Sequence, residues 1–321
     1  MNTTAPAPAS ADARAWTAAT IDEPSRWRFA LPERALARLD RRVQELGRED
    51  GPLAGDLPED DRPPLAEALA PVLQALEAGR GFVILDGPAP GRYSPRERTA
   101  LYWLVGQALG RPLAQNVQGT LLYEVRDTGQ DVASGARFSV TNAESSFHTD
   151  NSFGDTALDY VGLLCLNTAR AGGLSQVVSG HAACAELRAR HPELLEVLCR
   201  PFHVDRRGGT RPGEAPTAQV PVLEFGPGGL LVRYLRYWIE AGHQKAGVPL
   251  TAEQVRALDA LDAVLRRPQL RAEFDLRPGD TYFLNNRWLL HNRTAFEDHA
   301  EPERRRHLVR LWLRRGPGAP A

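Results

Sequence analysis

Residues 303–315 read ERRRHLVRLWLRR, and this stretch decides the fold because charge and apolarity alternate along it. Successive side chains on a β-strand point to opposite faces. A strand over 306–313 therefore places Arg306, Leu308, Arg310 and Trp312 on one face and His307, Val309, Leu311 and Leu313 on the other. A strand this apolar is expected to be buried on both sides. Two arginines on it are costly unless each meets an anion, because an uncompensated buried guanidinium loses several kcal/mol of hydration. Arginine's planar fork fits carboxylates, each charge-assisted hydrogen bond contributing about 1.5–3 kcal/mol. Internal Arg–Glu bridges or snorkelling at a surface would also satisfy the pair.

Outward from this strand, short apolar or alternating runs recur at 119–126, 159–167, 174–179, 219–225, 229–234 and 281–285, separated by turn residues at 227–229 and 277–280. Many short strands with turn signals predict a mainly β fold with flanking helices, a sandwich or jelly roll. Helical stretches are expected at 181–199 and 251–267. The first third reads differently. Apolar residues at helical spacing predict helices over 33–47 and 64–79, with an acidic, Pro-rich loop at 48–63 between them. A buried strand is expected at 81–85, and a third helix over 94–109 capped by Ser94. One domain over 17–315 is expected, helical to about residue 110 and a jelly roll over 117–315. Residues 1–16, rich in Ala, Pro, Thr and Ser, read as a disordered arm, and 316–321 as a flexible tail.

With 39 basic and 40 acidic side chains, the chain has no net field to draw nucleic acid or an anionic membrane. A charged ligand must then be held by a local cluster, and the expected partner is a small-molecule substrate, with a homo-oligomer left open. No apolar run approaches a membrane span, and the first residues lack the pattern of a signal peptide. Cys165, Cys184 and Cys199 form no CxxC pair, which argues against a disulfide framework or a thiolate metal site and fits a reducing cytoplasm.

The chemical signal is Phe147-His148-Thr149-Asp150 together with His291. If 148–150 is extended, His148 and Asp150 face the same way, and His291 completes two imidazoles and one carboxylate. That is the facial set used by non-haem iron(II) oxygenases, which leaves three coordination positions open for cosubstrate and dioxygen. HxD alone is weak, and a zinc hydrolase uses similar ligands. Arg306 and Arg310, four apart on one face and a short connection beyond His291, fit an oxygenase better. 2-Oxoglutarate is a diacid, one carboxylate for the metal and the other for a distant cation.

The order HTD at 148–150, AGGLS at 171–175, RPGD at 277–280, NNRWLLHNRTAF at 285–296 and RRHLVRLWLR at 305–314 resembles the taurine dioxygenase and clavaminate synthase superfamily of iron(II)/2-oxoglutarate oxygenases. The resemblance spans about 81–314. It implies a distorted double-stranded β-helix with iron held by His148, Asp150 and His291. It further implies Arg306 at the distal carboxylate of 2-oxoglutarate and Arg310 near the metal-bound end. Ser175 stands where relatives carry a cosubstrate-binding threonine, so the hydroxyl is kept. The retained carboxylate of Asp150 argues against halogenation, because related halogenases lose it. Many relatives tailor specialised metabolites. Hydroxylation of an unactivated C–H bond is the expected reaction. Desaturation or cyclisation are the alternatives within the family, and a metal hydrolase or a non-catalytic binder those outside it.

For the substrate, a continuous strand through 144–150 would aim Glu144, Ser146, His148 and Asp150 at one chamber. A carboxylate at Glu144 would suit an amine-bearing or amino-acid-like molecule, unless it pairs with Arg137 or Arg233. Arg233, within an Arg- and aromatic-rich run at 233–238, could instead bind a substrate carboxylate or end a surface strand. The Gly-rich loop 206–214 reads as a lid or as ordinary surface. His203, His243, His299 and His307 lack ligand partners at useful spacing, and Trp103, Trp238 and Trp312 read as packing residues.

Overall fold

The computed structural model describes residues 12–21, 23–53, 55–130, 138–154, 158–207, 210 and 213–316. Strand β1 (Arg28–Ala30) leads into helices α1 (Glu33–Arg48) and α2 (Arg62–Glu77), strand β2 (Phe82–Asp86) and helix α3 (Pro95–Leu109). Strands β3 (Gly110–Leu113), β4 (Leu122–Val125), β5 (Tyr160–Asn167), β6 (Ala171–Gly172) and β7 (Ser175–Ser179) follow. After helices α4 (Gly180–Arg190) and α5 (Pro192–Leu198) come strands β8 (Pro201–Asp205), β9 (Thr217–Pro221), β10 (Leu223–Gly226) and β11 (Gly229–Val232). Helices α6 (Arg236–Ala246) and α7 (Ala252–Leu265) precede strands β12 (Arg271–Phe274), β13 (Thr281–Asn285), β14 (Leu289–Arg293), β15 (Phe296–Glu297) and β16 (His307–Arg315).

Local sequence explains the outer helices. Along α1, Ala35, Leu36, Leu39, Val43 and Leu46 are buried at the three-to-four-residue spacing of one helix face. At the start of α3, Ser94 Oγ accepts from Glu97 N at 3.3 Å and Glu97 Oε2 accepts from Ser94 N at 2.7 Å, a reciprocal cap that satisfies two amides with no helical partner.

Among the described residues the larger sheet has seven strands in the order β1-β2-β13-β5-β16-β3, with β4 also paired to β16, and a smaller sheet runs β12-β7-β14. The two faces of β16 divide as the alternation predicts. Val309, Leu311 and Leu313 join Leu164, Phe283 and the helix residues Leu39, Leu69 and Leu104 in one apolar cluster. Leu308 and Trp312 join Val161, Cys165, Tyr282 and Leu284 in a second cluster, shared with Val177, Val178, Leu289 and Leu290 of the smaller sheet. Full burial of each such leucine contributes about 1.5–3 kcal/mol, so both faces of the strand are fixed. The result is a distorted jelly roll with helices on its outer face and a chamber between the sheets.

Several expectations about elements are corrected. The single helix over 181–199 is two, α4 and α5, because Pro192 has no amide to continue the ladder. The strand over 219–225 breaks at Val222, whose carbonyl accepts from Arg233 N at 2.8 Å. The Arg- and aromatic-rich run at 233–238 turns into α6, which the sequence reading did not foresee. Arg236 anchors its first turn to Glu240 at 2.6 Å, Asp259 at 2.8 Å and Asp262 at 3.2 Å. Residues 12–16 of the expected arm are held in place: Trp16 is buried and its Nε1 donates to the Arg80 carbonyl at 2.8 Å. Residues 1–11, 208, 209, 211, 212 and 317–321 lie outside the described residues, so the arm's start, part of the expected lid and the tail are not described.

Candidate active site

Two distant segments meet through their backbones. His148 N donates to His291 O at 3.0 Å and His291 N donates to His148 O at 2.9 Å, an isolated antiparallel bridge that brings the two rings to 4.2 Å between centroids. His148 Nδ1 lies 2.8 Å from the Ser146 carbonyl, which can only accept, so Nδ1 carries the proton and Nε2 keeps its lone pair. Donor atoms of His148, Asp150 and His291 all lie within 4.8 Å of one another, close enough for one ion to bridge them.

Asp150 is fixed on every side. Its amide donates to Asn286 Oδ1 at 2.8 Å, and Asn286 Nδ2 donates to the Asp150 carbonyl at 3.0 Å. Trp312 Nε1 donates to carboxylate Oδ2 at 2.8 Å, and Arg310 Nη1 lies 3.2 Å from the same oxygen. Burial alone would raise this carboxyl, but the Arg310 guanidinium outweighs it and holds Asp150 well below the usual carboxylate range. Burial, with His148 and Arg310 nearby, pushes His291 down to about 3, so its ring is neutral at physiological pH. Its Nδ1 is buried and has no hydrogen-bond partner among the described residues. An ionised carboxylate and two imidazoles with available lone pairs are the protonation states a metal requires, so the residues fit a ferrous ion.

The expected strand through 144–150 does not form; only His148 makes a bridge. Ser145 N donates to Arg293 O, His148 pairs with His291, and Thr149 N donates to Tyr234 O, so this segment is shared among separate elements. The alternation argument therefore fails for its first residues. Glu144 is exposed, with Oε1 3.3 Å from Asn292 Nδ2, and Ser146 contributes its carbonyl to His148. Arg233 pairs with Glu224 at 2.9 Å. Glu144, Ser146 and Arg233 are not among the residues that line the chamber, whereas Ser145 is. Arg137 lies outside the described residues.

The arginine pair and Ser175 do line the chamber beside the metal cluster. Arg310 is committed: its Nε donates to Gln115 Oε1 at 2.8 Å, and its guanidinium stands 5.1 Å from the Tyr123 and Trp312 ring centroids. Arg306 is different. Its backbone amide donates to Asp298 Oδ1 at 2.7 Å, but its buried Nη1 has no hydrogen-bond partner and its guanidinium makes no ion pair among the described residues. Burial pushes its pKa down to about 10, partly offset by Cys165, Asp298 and Asp275. It stays charged, a buried cation that lacks an anion among the described residues. The AGGLS turn makes room for it: Gly172 and Gly173 both sit in the left-handed region, φ +73° and +74°. A Cβ on Gly173 would lie 3.1 Å from Arg306 Nε, and one on Gly172 would lie 2.2 Å from the Ala295 carbonyl, so glycine is required at both.

The sequence reading missed four residues here. Trp312, read as packing, donates to Asp150. Its position on the Arg310 face was legible, but its indole partner was not. Asn286 clamps the backbone of Asp150, Gln115 holds Arg310, and Arg293 lines the chamber while donating to the Phe138, Ala143 and Thr294 carbonyls. Burial, with Arg306 nearby, pushes Arg293 down to about 9. Outer partners of this kind orient ligands, and their loss costs about 10–100-fold in metal affinity. Trp312→Phe is therefore expected to weaken Fe(II) binding by about that factor in anaerobic titration. Unaltered affinity would remove the indole from the ligand's support.

A family model described as taurine catabolism dioxygenase TauD, TfdA family, matches residues 42–312. FR-33289 synthase from Streptomyces rubellomurinus is 30% identical over 93% of this chain and 88% of its own. A uridine-5'-phosphate dioxygenase from an Amycolatopsis species is 33% identical over 56% of this chain and 64% of its own. In fold, the chain is similar to an asparagine oxygenase solved with Fe(II), a hydroxyasparagine and succinate, at TM-score 0.65 and 18% identity over 89% of this chain and 93% of that one. It is likewise similar to the non-haem iron oxygenase OrfP solved with Fe and alpha-ketoglutaric acid, at TM-score 0.63 and 20% identity over the same shares. The chain thus belongs to the TauD/TfdA family and is an iron(II)- and 2-oxoglutarate-dependent dioxygenase.

Proposed function

We propose that His148, Asp150 and His291 hold the iron, that Arg306 and Ser175 take the distal carboxylate of 2-oxoglutarate with Arg310 near its metal-bound end, and that the enzyme hydroxylates an unactivated C–H bond of a small amino-acid-like metabolite. The observation that carries this reading is one chamber holding both a three-donor metal cluster and a buried guanidinium with no ion pair among the described residues. Metal, cosubstrate and dioxygen together supply the oxidising chemistry, with 2-oxoglutarate decarboxylated to succinate as the C–H bond is hydroxylated. The chain's own residues bind and orient. His148 and His291 offer lone pairs, Asp150 stays ionised against Arg310 and Trp312, and Arg306 anchors the far acid. Phe153, Leu235, Trp238 and Leu308 give the chamber apolar walls that exclude water.

The amino-acid reading is supported by similarity to the asparagine oxygenase and to OrfP, which was solved with hydroxylated arginine. It is also supported by Arg293, a chamber cation whose hydrogen bonds go to carbonyls, which suits a substrate carboxylate. Glu144, being outside the chamber lining, no longer argues for an amine. The test is anaerobic loading with Fe(II) and 2-oxoglutarate, followed by a screen of free amino acids, their carboxamides and uridine-5'-phosphate for substrate-stimulated succinate release. Stimulation by an amino acid but not by its carboxamide is expected. Stimulation by the nucleotide alone would replace the substrate class, and failure to bind 2-oxoglutarate would end the reading.

A further inference from the structure

The chamber contains a polar group that neither the metal cluster nor the arginine pair uses. Tyr282 is only 1% exposed, lines the chamber, and its hydroxyl has no hydrogen-bond partner among the described residues. Its place follows from the sheet. Tyr282 on β13 is opposite Leu163 on β5, and Leu163 is opposite Arg310 on β16, so the three stand in one row across the chamber-facing side. The ring packs edge-on against Phe274 at 5.1 Å and Phe82 at 6.3 Å between centroids. Phe274 is in turn the cross-strand partner of Ser175. Tyr282 thus shares a row with Arg310 on the larger sheet and touches, through the Phe274 ring, the strand position paired with Ser175 on the smaller one.

A buried hydroxyl without a partner costs the protein the hydration it gave up. Burial raises the phenol well above its ordinary value, so it stays protonated and can donate. Two buried donors without partners, Tyr282 Oη and Arg306 Nη1, thus line one chamber, and Ser175 lines it with them. Phenylalanine would pack against Phe82 and Phe274 equally well, so packing does not explain the oxygen.

Resting on the cosubstrate reading above, we propose that Tyr282 donates a hydrogen bond to the distal carboxylate of 2-oxoglutarate, making the socket a three-residue device of Arg306, Ser175 and Tyr282. One carboxylate oxygen would meet the guanidinium and the other the hydroxyls. The socket then reads the presence of the second acid as well as its charge.

The test is anaerobic calorimetry of 2-oxoglutarate binding to the Mn(II)-loaded enzyme and its Tyr282→Phe variant, alongside 2-oxopentanoate, which has the same chain length but lacks the distal acid. Tyr282→Phe keeps the ring packing and is expected to melt no earlier than the parent. Its affinity for 2-oxoglutarate should fall about 10-fold, the loss of one hydrogen bond to a charged group, while its affinity for 2-oxopentanoate is unchanged. Equal loss for both ligands would show general disturbance, and equal 2-oxoglutarate affinity in parent and variant would show an idle hydroxyl; either overturns the proposal. Failure of the parent itself to bind 2-oxoglutarate would overturn the underlying cosubstrate reading, and the Tyr282 proposal with it.

Discussion

Substitution of His291 by alanine is expected to abolish substrate-coupled succinate formation. In the proposed ligand set the imidazole supplies one of three donors, and with only His148 and Asp150 left the site would not hold a ferrous ion firmly. Loss of a mere outer partner costs about 10–100-fold in affinity, so loss of a ligand should exceed about 100-fold. The bridge to His148 is made by backbone atoms and survives the change, so the second histidine stays in place. Two measurements check this: anaerobic Fe(II) titration, and succinate release with and without substrate, each with a thermal melt to show that the variant folds. A variant that retained full turnover would remove His291 from the ligand set.

Arg306→Ala is expected to act on the cosubstrate alone. Breaking one side of a buried charge pair costs about 3–5 kcal/mol, equivalent to about 10²–10³-fold or more in 2-oxoglutarate affinity. The folded protein should tolerate the change, because the parent already carries this guanidinium buried with no ion pair among the described residues. Alanine removes a charge that burial penalises, so the apo variant should melt no lower than expected from lost contact with Phe296, over which the guanidinium lies 5.1 Å from the ring centroid. Arg306→Lys should fall between the two, since an ammonium keeps the charge and loses the planar fork. The discriminating readout is the 2-oxoglutarate KM against the substrate KM. A rise in the first with the second steady is the expected result, and an unaltered cosubstrate requirement would take Arg306 out of the socket.

Much of the site was legible where the argument needed only local periodicity. The two faces of β16 follow from a period of two, and the structure places Leu308 and Trp312 inward and Val309, Leu311 and Leu313 against the helices as that period requires. The Ser94 cap is likewise local, because it answers a single backbone demand, whereas Gly172 and Gly173 also make room for the distant Ala295 carbonyl and Arg306. Glu144 shows where the method stops. Its predicted direction assumed a strand, but a strand exists only if a neighbour pairs with it, and 145–149 divides its hydrogen bonds among Arg293, His291 and Tyr234. Trp312 shows the converse. Its face was read correctly and its role was not, because an indole N–H is satisfied by whatever acceptor the fold brings near it.

By itself the sequence determined the inventory: two imidazoles and a carboxylate with the chemistry to bind iron, and two arginines on one strand face. Side-chain chemistry and the two-residue period are properties of the chain wherever it lies. Only the tertiary structure decided which groups meet. Trp312 and Asp150 are 162 residues apart along the chain and 2.8 Å apart in space, and Arg310 found its carboxylate while Arg306 was left without one. Such contacts are set by strand order and register, which depend on the burial of whole faces at once, and no local pattern encodes them.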